Sequence, residues 1–413
     1  MVLKPSDLEE LPEGWKNIDL GSIMRVRQGL QIPISQRLKK PTPTAVEYIT
    51  IQSIKNKNQE REYVESPSRR VVCEVDDVLM TRTGNTGIVV TGVEGAFHNN
   101  FFLMDFERSL VNRLFLVNYL RSPRVQHLIL VKAGSSTIPD LNHRDFYSIR
   151  FPLPPLAEQK KIAQILSTWD KAITTTERLL VNSQQQKKAL MQKLLTGKKR
   201  LLDENGVRFS GEWECFTLND LFTFKRGKGL SKSDISTTGK NRCVLYGELY
   251  TRYAEVIDNV YSRTDKNEAE LSESGDILIP SSTTTSGIDL ANATAILENG
   301  VLLGGDINIL RPRSKLSSQF MAHVLTHIKR YEIASLAQGI TIIHLYGSDL
   351  KKLKVWIPRK LDEQIKISQV LSAIDKASLK LQIKFDILKQ EKKSLMQQLL
   401  TGKRRVKVDE EAV

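Results

Sequence analysis

Between residues 156 and 195, apolar side chains step by four and three: Ile162, Leu166, Trp169, Ile173, Leu180, Leu190 and Leu194. Thr176, Ser183 and Lys187 fill the remaining positions of that stripe. This is a heptad seam with polar interruptions, and it predicts one long helix. The pattern returns at Ile367, Leu371, Ile374, Leu381, Phe385, Leu388, Leu395 and Leu399, with Ser378 and Lys392 in the seam. Pro154-Pro155 suits the start of the first helix, where a missing N–H costs nothing, and Glu158 sits in the first turn where the helix dipole favours a carboxylate. Gly197 marks the end, and Lys198-Lys199-Arg200 suit the negative terminus. About 40 residues at 1.5 Å each give roughly 60 Å of helix. So narrow an apolar stripe needs a partner, and the obvious one within the chain is the other copy, lying antiparallel. Lys187 and Lys392 hold equivalent positions. They either fix the register at a cost in stability or lie at the rim with packed stems.

Elsewhere the pattern changes. Asp77-Val78-Leu79-Met80-Thr81 and Gly87-Ile88-Val89-Val90, bounded by Gly and Asn, read as strands. Asn112 to Leu120 and Val125 to Lys132 read as short helices. The mixture predicts an α+β lobe ahead of the first long helix.

The chain repeats itself. Glu158-Gln159 reappears at an offset of 205 residues (158 to 363) as Glu363-Gln364. Asp170-Lys171-Ala172 matches Asp375-Lys376-Ala377 at the same offset, and Leu194-Leu195-Thr196-Gly197-Lys198 matches Leu399-Leu400-Thr401-Gly402-Lys403. Upstream the match loosens. Gly14-Trp15 parallels Glu212-Trp213, Arg27-Gln28-Gly29 parallels Lys225-Arg226-Gly227, Asp77-Val78-Leu79 parallels Asp276-Ile277-Leu278, and Leu141 parallels Leu345. Element order is kept while lobe content diverges, as expected of a duplicated domain plus helix with an approximate internal twofold.

Charge narrows the function. The net charge is +14 and the pI about 9.5, which points to a polyanion, with nucleic acid the default. Three distant cysteines, Cys73, Cys215 and Cys243, do not suggest a disulfide frame. With no apolar signal core at the start and no run of about 18 apolar residues, the expectation is a cytoplasmic protein without membrane contact.

Leu153-Pro154-Pro155-Leu156-Ala157-Glu158-Gln159 at a helix start resembles a signature of the specificity (S) subunits of Type I restriction–modification enzymes. Leu194-Leu195-Thr196-Gly197-Lys198, Gly134-Ser135-Ser136-Thr137-Ile138 and Leu11-Pro12-Glu13-Gly14-Trp15 resemble the family's helix ending, end-of-domain segment and domain start. The second copy departs at Trp356-Ile357-Pro358-Arg359-Lys360-Leu361, which lacks the double proline, and at Gln338-Gly339-Ile340. The resemblance implies two globular target-recognition domains, residues 1–154 and 199–359, joined by two long antiparallel coiled-coil helices, residues 155–198 and 360–402, with a tail at 403–413. It implies a non-catalytic, DNA-binding subunit in which each domain reads half of a split duplex target. The helices set the spacer and dock two modification (methyltransferase) subunits and, through them, restriction/translocase subunits. S-adenosylmethionine, ATP and Mg would then reside on those partners, with no cofactor or metal in this chain. Half-sites about one DNA turn apart, roughly 34 Å, would fall on one face of the duplex.

Candidate DNA contacts are basic and amide residues at strand ends: Arg25, Arg27, Gln28, Gln31, Arg82 and Asn85 in the first lobe, and Lys225, Arg226, Lys228, Ser282 and Thr284 in the second. Arg suits guanine, Gln and Asn suit adenine, and hydroxyls and Lys suit phosphate. Asp77 and Asp276 read as turn-closing carboxylates. Two alternatives compete. Pro139-Asp140 followed by Glu158-Gln159-Lys160 has the residue types of a PD…ExK metal-dependent nuclease, but a long helix is the wrong scaffold, and the repeat has Ile343-His344 and Glu363-Gln364-Ile365. A protein-only coiled-coil scaffold explains the helices but not the charge. His323 and His327 share a helical face without a zinc-protease motif and read as a structural pair.

Overall fold

The computed structural model describes residues 11–56, 58–134 and 138–408. The chain start, Ser135–Thr137 of the end-of-domain segment and the last residues of the tail lie outside the described residues. The chain divides into two units, residues 1–177 with 383–413 and residues 178–382. Each combines one lobe with half of each long helix, so the helices belong to both units rather than forming a separate body.

The first unit is built on two four-stranded sheets. One runs in the order Met24–Gln28, Phe101–Phe106, Val78–Thr81, Val89–Thr91. The other runs Tyr63–Glu65, Ala45–Ile49, Gly95–Phe97, Val72–Cys73. All four residues of Val78–Thr81 are buried, because this inner strand has neighbours on both edges and side chains packed on both faces. The helices Arg113–Arg121 and Pro123–Ala133 cover the first sheet, and Phe102, Phe115, Phe146 and Phe151 fill the core between them. The Asn112 side chain caps the first of these helices.

The second unit repeats this plan with additions. Its main sheet has five strands, Phe222–Arg226, Ile307–Pro312, Asp276–Pro280, Thr294–Ile296 and Val256–Ile257, and a four-stranded sheet accompanies it. Asp77 and Asp276 both close turns: each carboxylate accepts from a backbone N–H three residues earlier, at Glu74 (2.9 Å) and Glu273 (2.8 Å). Asp276 is also fully buried beneath a bidentate Arg311 (2.9 and 2.8 Å).

In each unit an antiparallel strand pair closes the lobe, Lys16–Asp19 with Arg150–Leu153 and Trp213–Thr217 with Lys354–Pro358. The closing strand feeds directly into a long helix, Leu156–Leu194 or Leu361–Leu400. Every predicted seam position in both helices is buried or half-buried, while most intervening positions are exposed. The pairing is antiparallel within each unit. In the first, Glu158 meets Arg405 and Asp170 meets Lys392 (2.5 Å). In the second, Ser183 meets Ser378 (2.7 Å), Lys187 meets Asp375, and Arg200 meets Glu363 (2.5 and 2.6 Å). Lys187 and Lys392 therefore act as half-buried seam residues whose stems pack and whose ammonium groups find an aspartate on the facing helix.

The repeated motifs converge on one junction per unit. In the first, the Trp15 indole N–H donates to Glu158 (3.2 Å), Arg405 bonds the same carboxylate, and Gly402, in the left-handed region at φ +79°, ends its helix against Pro12 and Trp15. In the second, Glu363 is 1% exposed beneath Arg200, and Gly197, at φ +71°, ends its helix against Trp213. The neighbouring Gln159 accepts from the Asn112 N–H (2.8 Å) and donates to the Pro154 carbonyl (2.8 Å), and Gln364 does the same with Ser317 (3.0 Å) and Pro358 (2.8 Å). The Glu-Gln dipeptide thus ties each helix start to its lobe. Among the described residues, no helix is long and apolar enough to cross a membrane.

Candidate nucleic-acid interface

At the end of the first unit's main sheet, three strand termini meet. Gln28 pairs with Phe102, and Thr81 with Phe101, so the residues just beyond them gather around the turn at His98–Asn100. There Gln31 accepts from the Asn99 amide (2.7 Å), Gln28 donates to the Asn99 carbonyl (3.3 Å), and the Arg82 N–H donates to the Asn100 carbonyl (2.7 Å). Four amide or guanidinium side chains thus share one rim: Gln28, Gln31, Arg82 and Asn99, which the motif search did not single out. Gly29 makes the turn possible, because a Cβ there would lie 2.1 Å from the Phe97 carbonyl oxygen.

Within that rim the Arg82 guanidinium is itself engaged, and Asn85, Arg25 and Arg27 lie apart from it. Arg82 is held by Asp140 (2.9 and 2.8 Å) and lies over the Phe102 ring, so its guanidinium is oriented by a carboxylate. The Thr83 hydroxyl bonds the same carboxylate (2.5 Å); that bond above all, and then Arg82, hold Asp140 below the usual range against the effect of burial. Asn85 is exposed in the hairpin connection. Arg25 and Arg27 lie back along the strand. Arg25 bonds the Met24 carbonyl (3.0 Å), and Arg27 pairs with Asp105 (2.7 and 3.2 Å) and the Arg70 carbonyl (2.8 Å).

The second unit carries the same frame with different side chains. The Ser281 N–H donates to the Asp306 carbonyl (2.7 Å) and its carbonyl accepts from Leu345 (2.9 Å), matching Arg82 with Asn100 and Leu141 in the first. Serine therefore stands where the first lobe has Arg82, and His344 where it has Asp140. Gly227 repeats the close approach, its Cβ position lying 2.0 Å from the Gly304 carbonyl oxygen. Lys225 pairs with Glu270 (2.8 Å) and Arg226 with Asp306 (3.0 Å); Lys228 is exposed. Ser282 departs from the expectation. It is 5% exposed within a strand pair with His344, so its hydroxyl faces the interior, whereas Thr284 is exposed.

Beside this rim lies a cleft of about 260 Å³ lined by Phe224, Lys225, Arg226, His344, Tyr346 and Lys351. The His344 and Tyr346 rings stack at 6.1 Å, and the Lys351 ammonium lies 5.6 Å from the Phe224 centroid. Aromatic faces among cations suit a base or a phosphate. The alternation His344-Leu345-Tyr346, with only Leu345 buried, was the available sequence signal for these residues.

The carboxylates of the nuclease reading are occupied elsewhere. Asp140 holds Arg82 and Thr83, and Glu158 holds Trp15 and Arg405.

The family model described as Type I restriction modification DNA specificity domain matches twice, over residues 12–182 and 210–389. The chain belongs to this family. It is 24% identical over 413 residues to the Type I restriction enzyme MjaVIII specificity subunit of Methanocaldococcus jannaschii, covering 96% of this chain and 94% of that one. It is 25% identical over 423 residues to the putative Type I restriction enzyme MjaX specificity subunit of the same organism, covering 98% and 97%. Among solved structures, the S subunit of a Type I restriction–modification system from M. genitalium superposes with a TM-score of 0.57 at 17% identity, covering 96% of this chain and 98% of that one. A chain from a structure describing complex assembly and conformational transition of the type I R-M system superposes at 0.55 with 18% identity, covering 96% and 100%. These likenesses show a shared fold, α+β with two specificity domains and two long helices.

Proposed function

We propose that the chain is the non-catalytic specificity subunit of a Type I restriction–modification complex, in which each lobe reads one half of a bipartite duplex target. The observation that carries this reading is the repeated rim. One backbone frame carries Gln28 and Arg82 in the first lobe and Arg226 and Ser281 in the second, with Gln31 and Asn99 beside it in the first and the cleft of His344, Tyr346 and Lys351 beside it in the second. An unchanged frame with exchanged polar groups suits two readers of different sequences, since bases are distinguished by donor and acceptor pattern. The net charge of +14 suits a phosphate backbone.

The paired helices set the distance between half-sites and dock two modification subunits, which bring the restriction/translocase subunits. Ile383 and Ile387 support docking: they stand exposed four residues apart along one helix within the first unit, outside the seam. S-adenosylmethionine, ATP and Mg act on those partners.

Methylation mapping in cells with and without the chain tests the proposal. The expected result is a split motif methylated only when the chain is present. Duplex DNA binding by the assembled complex should also weaken steeply with salt. A chain that supports assembly but leaves methylation and DNA affinity unchanged would instead be a protein-only scaffold.

A further inference from the structure

The second lobe holds a cluster that DNA reading does not use. Glu255, just before the strand Val256–Ile257, faces His323 and His327 across the packing of strand on helix. One ligand atom from each residue lies within 4.8 Å of the others. The His327 Nε2 contacts a Glu255 carboxylate oxygen, and the His323 Nδ1 lies 3.9 Å from the same oxygen. His323 is 1% exposed, and neither of its ring nitrogens has a hydrogen-bond partner. A buried imidazole with both nitrogens unsatisfied loses its hydration without compensation, which calls for a missing partner.

The local backbone is adapted to this cluster. The helix Ser318–His323 passes into a π-helical turn, Val324–Ile328, where the Lys329 N–H bonds the Val324 carbonyl (3.0 Å). Such turns are rare and recur at functional sites. Here the turn leaves the two imidazoles nearly parallel, 21° apart with centroids at 6.0 Å.

The first lobe provides a built-in comparison. Gln159 and Gln364 anchor Asn112 and Ser317, which aligns the two helices at an offset of 205 (112 to 317). That offset places Asn118 and Ser122 where the second lobe has His323 and His327. Both bond their own helix, Asn118 to the Leu114 carbonyl (2.8 Å) and Ser122 to the Tyr119 carbonyl (2.7 Å). The histidine cluster is therefore an addition to the second lobe and not a requirement of the shared fold.

We propose that Glu255, His323 and His327 form a structural Zn²⁺ site in the second lobe, with a water reaching it past half-exposed His327 to complete four-coordination. Two imidazoles and one carboxylate suit Zn²⁺, which binds such atoms at about 2.0–2.2 Å. Tetrahedral bonds of that length set ligand atoms about 3.4 Å apart. His323 already stands near that distance from Glu255 at 3.9 Å, whereas His327 and Glu255 would have to part. The ion would fasten the strand entry at Glu255 to the helix behind it.

The test is titration of the tag-free, chelator-stripped full chain with Co²⁺ as a spectroscopic substitute, followed by Zn²⁺. The expected result is one Co²⁺ per chain with the strong visible absorption of a tetrahedral site, displaced by Zn²⁺. His327→Gln, at the half-exposed side, and the near-isosteric Glu255→Gln should each weaken binding at least about tenfold. The proposal is overturned by three outcomes: no saturable binding, a sulfur-to-cobalt charge-transfer band, or undiminished affinity in both variants. The second and third would place the ion on other ligands.

Discussion

Gln28 differs from Arg27, its neighbour in sequence, in what its side chain is free to do. Arg27 spends its guanidinium on Asp105, whereas Gln28 touches only a backbone carbonyl at the rim and keeps its acceptor. Gln28→Ala should therefore lower discrimination at one base pair of one half-site by about 1–3 kcal/mol, with the other half-site unaffected; competition binding with single-base variants measures this. Arg82 acts through a carboxylate, which makes its environment sensitive to acid. Asp140 is held below its ordinary value, so as pH falls the unfolded chain takes up this proton first. Its contribution is present above about pH 4 and is lost as pH falls through the folded-state value. Asp140→Asn should melt below the wild type near pH 7, and the gap should narrow as the pH falls below about 4. A gap that stays equally wide would remove the carboxylate's charge as the cause.

The long helices show how burial ranks ion pairs that look alike in sequence. Glu363 is 1% exposed and held by Arg200, whereas Lys392 reaches an Asp170 that is 53% exposed. Removing one member of a buried pair strands a charge, so Glu363→Ala should destabilise the second unit by about 3–5 kcal/mol. Lys392→Ala should cost at most about 1 kcal/mol in the first. Urea denaturation of single-tryptophan variants that keep only Trp213 or only Trp15, of the four in the chain, separates the two, since each of these sits at the junction of one unit. Equal losses would contradict the ranking. The helices themselves were readable from their 4-and-3 spacing, because a seam is a one-dimensional pattern. The short helix Arg113–Arg121 was nearly so, with Asn112 as its cap. The π-helical turn was not, because its shift in hydrogen bonding leaves no mark on apolar periodicity.

For the whole molecule, the proposed function makes helix length a specificity parameter. Inserting one heptad after Leu180 and another after Leu381, both seam positions, adds about 10 Å to each helix. The unread spacer should grow by about three base pairs while both half-sites keep their sequence, as read by methylation mapping. An unchanged spacer would show that the helices do not measure it.

By itself the sequence determined the duplication, the two seams, the order of elements and the family, since all are carried by residue types at fixed spacing along one chain. It also marked Glu158, Gln159, Trp15 and Gly402 as important without saying why. Only the tertiary structure decided that these repeated residues meet at one junction per unit, that Ser282 is covered, and that Arg82 answers to Asp140. It alone brought Asn99, His344, Tyr346 and Lys351 to the rims, and Glu255 to a histidine pair nearly seventy residues away. The reason is physical: periodicity records which face of an element is buried, whereas the partner of a polar group is set by strands that pair across long stretches of sequence.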